Sequence, residues 1–186
     1  MMKRLLPTLL IAFLMCAGAA RAEQFFYTYV GLCGTAGLTG VEHDYWDKAS
    51  NLRKSKSENG IYFAGGPVLN VVADNFIGEF STQFMRNVPS ASNLYITATG
   101  KYAFKLTKSF FLAPGLGMYF ETPLSDEAYN GGGGFAGVLG AGFQIGDDIR
   151  ICLDGSFRYG YVWFEERGTR MSYGAQISVL YKVGRL

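Results

Sequence analysis

The chain contains one histidine, His43, and the residue after it is Asp44. A histidine beside a carboxylate is part of a Ser–His–Asp arrangement, in which the imidazole takes the serine proton and the carboxylate orients the ring. A single histidine excludes any multi-histidine metal site. His43 opens a polar stretch, and a lone histidine there reads first as polar surface, so catalysis is not expected. "GLG" at 115–117 and "GGGG" at 131–134 suggest phosphate loops only until their context is considered. Such a loop joins a strand to a helix, and no helical period follows either one. No cofactor and no metal is expected.

The remaining candidates are charged residues on one parity of alternating segments. In "NLYITATGKYAFKL" (93–106), Leu94, Ile96, Ala98, Gly100, Tyr102, Phe104 and Leu106 share one face, and Lys101 and Lys105 lie on the other. Phe76, Phe80 and Phe84 alternate in the same way with Glu79, Ser81 and Gln83. Ile149, Ile151, Leu153, Phe157, Tyr159, Tyr161 and Trp163 oppose Arg150, Asp154 and Arg158, and Tyr173, Ile177, Val179 and Tyr181 oppose Gln176, Ser178 and Lys182. Period two means β-strand, with successive side chains on opposite faces. Which face meets water decides the class of protein.

The elements that position these residues begin after an export signal. Lys3 and Arg4 precede an uncharged apolar run, Leu5 to Ala20, and Ala20-Arg21-Ala22 supplies a cleavage pattern. Residues 1–22 are expected to be a cleaved signal peptide and 23–186 the mature domain. Of the 17 basic residues, three leave with the signal, and the remaining 14 stand against 15 acidic ones. That balance gives no reason to expect a nucleic-acid partner. The rest is rich in glycine, tyrosine and phenylalanine, which is an all-β composition.

Eight strands are predicted, at about 24–42, 60–72, 76–86, 93–106, 109–121, 133–146, 149–163 and 171–183. Between them, long polar connections (44–59, 87–92, 122–132, 164–170) alternate with tight ones (73–75, 107–108, 147–148). An up-and-down barrel in a membrane has this asymmetry, with short turns on one side and longer loops on the other. A Greek-key sandwich has no reason to show it. The apolar rows also carry aromatics near their ends (Phe110, Phe120, Tyr159, Tyr161, Trp163, Tyr173, Tyr181), as interfacial girdles require. The prediction is an all-β, eight-stranded antiparallel up-and-down transmembrane β-barrel, its apolar rows facing lipid.

That orientation turns Glu79, Lys101, Lys105, Arg150, Asp154, Arg158 and Lys182 into the lumen. Small residues are expected to fill the rest of a tube this narrow. Glu79 is expected opposite Lys101, and Lys101 opposite Gly115, where a missing side chain leaves room. Arg150 and Arg158 are expected to converge on Asp154. Five basic against two acidic groups leave an inward surplus. The set reads as a salt-bridged plug or as a constriction for a small solute, and the narrow bore favours the plug. Cys33 and Cys152 fall on the first and seventh strands, two strand spacings apart, beyond the reach of a disulfide, so two free buried thiols are expected.

The whole pattern resembles the small eight-stranded outer-membrane barrels, the OmpA/OmpX-like and OmpW-like families. The resemblance implies a monomer in the outer membrane of a diderm bacterium, with outer-membrane lipid and the barrel assembly machinery as partners. It implies a structural or host-surface role, with a host or extracellular ligand at the loops. Tyr45, Trp46, Lys48, Arg53, Lys54, Lys56, Asp126 and Glu127 are the loop contacts expected there. An OmpW-like protein would instead pass small hydrophobic molecules. Two enzymes on eight-strand barrels, the lipid A palmitoyltransferase and the lipid A 3-O-deacylase, use a histidine with a serine and a carboxylate; His43-Asp44 lacks their local signatures.

Overall fold

The computed structural model describes residues 26–47, 52–88, 92–124, 131–162 and 167–185. They form β1 (Phe26–Asp47), β2 (Leu52–Ala73), β3 (Phe76–Val88), β4 (Ser92–Tyr102, resumed by Phe104–Lys105), β5 (Phe110–Pro123), β6 (Gly132–Ile145), β7 (Ile149–Val162) and β8 (Arg167–Arg185). The two parts of β4 pair with the same neighbour, β5, and are one strand broken at Ala103. The break has a partner of its own: the Ala103 N–H donates to the Asn75 carbonyl at 2.6 Å. Every strand pairs antiparallel with its neighbours in sequence, and β1 pairs with β8 to close the cylinder. The chain is a closed eight-stranded barrel.

Local chemistry sets the tight ends. Asp74 and Gly146 take left-handed backbone conformations, φ 52° and 60°, which a short polar residue or glycine adopts at small cost. In the turn after β4, the Thr107 hydroxyl accepts from the backbone N–H groups of Ser109 (3.2 Å) and Phe110 (2.9 Å). These turns mark one end of the barrel, the turn end. The other, where β1 meets β2 and β3 meets β4, is the loop end.

Burial is inverted relative to a water-soluble protein. Leu116 is 76 % exposed, while Lys101 is 4 % exposed. The outward rows run without a charge from Val30 to Leu38 on β1, Phe76 to Phe84 on β3, Leu94 to Phe104 on β4 and Phe110 to Thr122 on β5. The same holds from Phe135 to Ile145 on β6, Ile149 to Tyr161 on β7 and Met171 to Val183 on β8. An apolar band on every strand, with the ions inside, is stable only against hydrocarbon. This is a transmembrane β-barrel.

The boundary most in error is the first connection. Of the segment 44–59, expected as a loop, residues 44–47 and 52–59 are strand: β1 and β2 have 22 residues each and stay paired out to Asp47 and Leu52. β3 pairs with β2 only as far as Ile61, so Leu52–Gly60 continues beyond β3. At about 3.4 Å per residue that run measures roughly 30 Å. β8 likewise begins at Arg167, inside the segment expected as the last connection, and pairs with β1 up to Asp44. Residues 1–22, the expected signal peptide, lie outside the described residues.

Candidate functional site

Inward side chains fill the barrel in layers. In the middle, Lys101 on β4 extends its ammonium between two carboxylates, 3.0 Å from Glu79 Oε2 and 2.8 Å from Asp154 Oδ2. Glu79 also accepts from Gln176 Nε2 at 3.2 Å and, with the Asn70 amide turned so that its nitrogen faces the carboxylate, from Asn70 Nδ2 at 3.2 Å. Gln176 Oε1 accepts from Gln83 Nε2 at 2.9 Å, Gln83 Nε2 reaches Ser81 Oγ at 3.0 Å, and Ser81 and Thr97 share a bond of 2.7 Å. The Thr35 hydroxyl lies 2.8 Å from Gln83 Oε1. One continuous network thus ties β1, β2, β3, β4, β7 and β8 across the lumen. Desolvating an ion costs several kcal/mol, and pairing with further hydrogen bonds offsets it; this layer supplies both.

Glycine makes the crossing possible. Lys101 lies opposite Gly115 on β5, and a Cβ there would stand 2.7 Å from Lys101 Cγ. On β6, a Cβ at Gly140 would strike the Asp154 carboxylate. With nothing projecting from either intervening strand, Lys101 and Asp154 meet. Beside them a void of about 10 Å³, lined in part by Asn70, Lys101, Cys152 and Asp154, has room for about one water.

Towards the loop end the filling becomes aromatic. Tyr62, Tyr95 and Tyr119 are among the most deeply buried residues. Arg158 Nη1 donates to the Tyr62 hydroxyl at 2.9 Å, and its guanidinium carbon sits 4.5 Å from the Tyr95 ring centre. Tyr95 and Tyr119 stack with centroids 5.7 Å apart. Tyr62 lies over Gly37 and Gly174, and the Tyr119 hydroxyl over Gly160. Above this layer Glu121 accepts from both Arg170 Nη1 and Asn93 Nδ2. At the turn end, Arg150 donates from Nε to Gln144 Oε1 at 3.1 Å and stands 4.4 Å from the Tyr29 ring centre.

The expected lumen set divides. Glu79, Lys101, Arg150, Asp154 and Arg158 face inward and are buried. Lys105 keeps inward parity but is exposed at the turn-end rim. Lys182, half-buried, rests its ammonium 4.3 Å over the Tyr27 ring; neither lysine joins the network. Glu79 pairs in register with Thr99 and Lys101 with Ile77, so their ion pair is diagonal rather than directly opposed. Arg150 and Arg158 do not converge on Asp154; Lys101 holds it. Among the described residues four cations (Lys101, Arg150, Arg158, Arg170) and three carboxylates (Glu79, Glu121, Asp154) are buried, a smaller surplus than five to two. The filling is not uniformly small.

Glu121 and Arg170 are buried charges that the sequence reading left out. Glu121 lies two places after the buried Tyr119 and Arg170 two places before the buried Ser172, on the same inward parity. Cys33 and Cys152 are buried and unpaired. Both stand in register with Ser178, one on either side of β8.

On the hairpin, Tyr45 pairs with Lys54, Trp46 with Arg53, and His43 with Lys56; their side chains lie outside the described residues. Lys48, Asp126 and Glu127 lie outside them altogether. Among the described residues no cluster of His, Cys, Asp and Glu could hold a metal ion.

No family model and no curated protein matches the chain. Solved structures do. The outer membrane protein OprG from Pseudomonas aeruginosa is 14 % identical over 86 % of this chain and 96 % of its own, with a TM-score of 0.44. Ail, the attachment invasion locus protein of Yersinia pestis, in complex with the heparin analogue sucrose octasulfate, is 14 % identical over 87 % and 99 %, with a TM-score of 0.45. The outer membrane protein AlkL in lipid bilayers is 9 % identical over 84 % and 90 %, with a TM-score of 0.49.

Proposed function

We propose that this protein is a monomeric outer-membrane barrel, closed to solutes, that holds the β1–β2 hairpin beyond the membrane as a surface for contact with a host or extracellular ligand. The observation that carries this reading is the filled interior. Lys101 bridges Glu79 and Asp154 across the bore, and Tyr62, Tyr95, Tyr119 and Arg158 close the layer above them. The hairpin supports the second half: two strands of 22 residues are far longer than the roughly 9–11 a membrane crossing needs. Residues 1–22 act in this reading as the export signal, with the barrel assembly machinery as the partner during insertion. Reconstitution into planar bilayers tests the closed lumen. A silent membrane is expected; resolved conductance steps from the wild-type protein would overturn it.

A second reading, a narrow passage for small hydrophobic molecules with a sideways exit, has one observation in its favour. The outer wall carries a groove of about 780 Å³ over Ala36, Gly155 and Ala175, walled by Leu38, Phe157 and Leu139. Tyr62 stands directly behind it, over Gly37 and Gly174. Uptake of a long-chain hydrocarbon by vesicles carrying the barrel, increased by Tyr62→Ala, would favour the passage over the plug. Lipid A modification is the remaining alternative, and an unchanged acyl number after incubation with the protein would end it.

A further inference from the structure

We propose that the loop-end half of the lumen contains a binding site for one small monatomic anion, of halide size, between the Arg158 guanidinium and the hydroxyls of Tyr95 and Tyr119. The inference begins with a guanidinium that no carboxylate among the described residues contacts. Arg158 is 4 % exposed. A guanidinium carries five N–H donors, and the bond the structure describes runs from Nη1 to the Tyr62 hydroxyl at 2.9 Å. The carboxylates nearest along the barrel are engaged elsewhere. Asp154 is bound by Lys101, and Glu121 by Arg170 and Asn93.

The second observation is a set of orphaned polar atoms in this layer and the one above it. The Tyr95 and Tyr119 hydroxyls and Arg170 Nε are buried without a hydrogen-bond partner, and the orphaned acceptor beside them is Asn93 Oδ1. Native proteins leave few such atoms, and each one asks for a bound water or ion. Both tyrosines pack in the layer of Arg158. Tyr95 carries the ring that Arg158 covers, Tyr119 stacks on Tyr95, and the Tyr119 hydroxyl rests against Gly160, the next inward position after Arg158 on β7.

Unmatched donors around an unbalanced cation select an anion. A water would satisfy the hydroxyls and leave the charge. The faces of Tyr95 and Tyr62 spread the charge without cancelling it. An anion meets both needs, accepting from the two phenols while balancing the guanidinium. Tyr95 and Tyr119 stack directly, so the layer suits a single atom; a phosphate or sulfate would have to part the rings. The proposal concerns this layer and stands whether or not the hairpin binds a partner.

The test uses the folded full-length barrel in detergent, heated in sodium chloride and in sodium gluconate of equal ionic strength. The midpoint of the heat-induced mobility shift on gels should be several degrees higher in chloride and should climb with chloride concentration, since a ligand that binds only the folded state stabilises it by mass action. A double Tyr95→Phe, Tyr119→Phe variant keeps both rings and should lose that difference. Equal midpoints in the two salts for the wild type would overturn the site, as would a chloride response that persists in the double variant. Should the double variant not fold, crystals grown in bromide decide the matter on the wild-type protein. An anomalous peak within hydrogen-bond distance of the Tyr95 hydroxyl supports the proposal, and bromide on the protein surface alone rejects it.

Discussion

Two layers of the same lumen solve the problem of a buried cation in different ways. In the middle, Lys101 sits between Glu79 and Asp154, and Gln176 and Asn70 add further donors to Glu79. Nearer the loop end, Arg158 has a phenol and two aromatic faces, and the hydroxyls around it lack partners. The first is an ion cluster whose members depend on one another. The second is an aromatic packing layer that carries a charge. Truncating one member should therefore be costly in the middle and mild above it.

The largest expected effect is that of Lys101→Met. It keeps the length of the side chain and strands two buried carboxylates, and breaking a buried ion pair from one side costs about 3–5 kcal/mol. The heat-induced shift of the folded band should fall steeply in temperature. Little change would mean that water already shares the middle layer and that the cluster is weaker than its geometry suggests.

Next in size is Gly140→Val, which tests the glycine crossing rather than the ions. Its side chain would occupy the space of the Asp154 carboxylate, and overpacking of this kind costs about 1–3 kcal/mol. The same measurement reads it. Combined with Lys101→Met, the valine should add less than its separate cost, because the two changes remove one contact.

Much of this was legible in the sequence. Period two on four segments separated lipid from lumen, and it placed Glu79, Lys101, Arg150, Asp154 and Arg158 inside. What failed did so for identifiable reasons. Arg150 and Arg158 were set on Asp154 because they share its strand, yet four residues of strand span about 13 Å, whereas adjacent strands lie about 4.8 Å apart. Neighbours inside a barrel come from across the bore, and sequence does not reveal that Gly115 and Gly140 clear the way for Lys101. The Glu79–Lys101 register missed by two because the geometry of the connection after β3 fixes it, and residue types alone do not. The hairpin passed for a loop because alternation needs one wet and one greasy face. Residues 44–59 show no such alternation, yet the backbone pairing of β1 with β2 goes on through them to Asp47 and Leu52. Tyr95 shares the parity of Lys101 and was legible as inward, whereas Tyr62 and Tyr119 went unremarked because a tyrosine suits a lumen and a lipid interface equally well.

In the loop-end layer, and in gluconate so that no halide is present, Arg158→Met should cost less than either change in the middle, about 1 kcal/mol for the lost bond to Tyr62. Its removal leaves rings packed on rings and no stranded opposite charge. A loss as large as that of Lys101→Met would erase the distinction between the layers. It would mean that Arg158 has a strong anionic partner beyond those described.

The smallest effect sharpens the comparison most. Tyr95→Phe removes one oxygen that the described residues leave unpartnered, and deleting a buried polar group with no bond should be neutral or slightly stabilising. In gluconate the midpoint should therefore stay within about a degree of the wild type, or rise. In chloride it should drop, because the same oxygen would then be bound to the anion beside Arg158. The sign of one substitution thus depends on the salt. No substitution in the middle layer should behave so, since the partners of Lys101 belong to the chain and are present in every buffer.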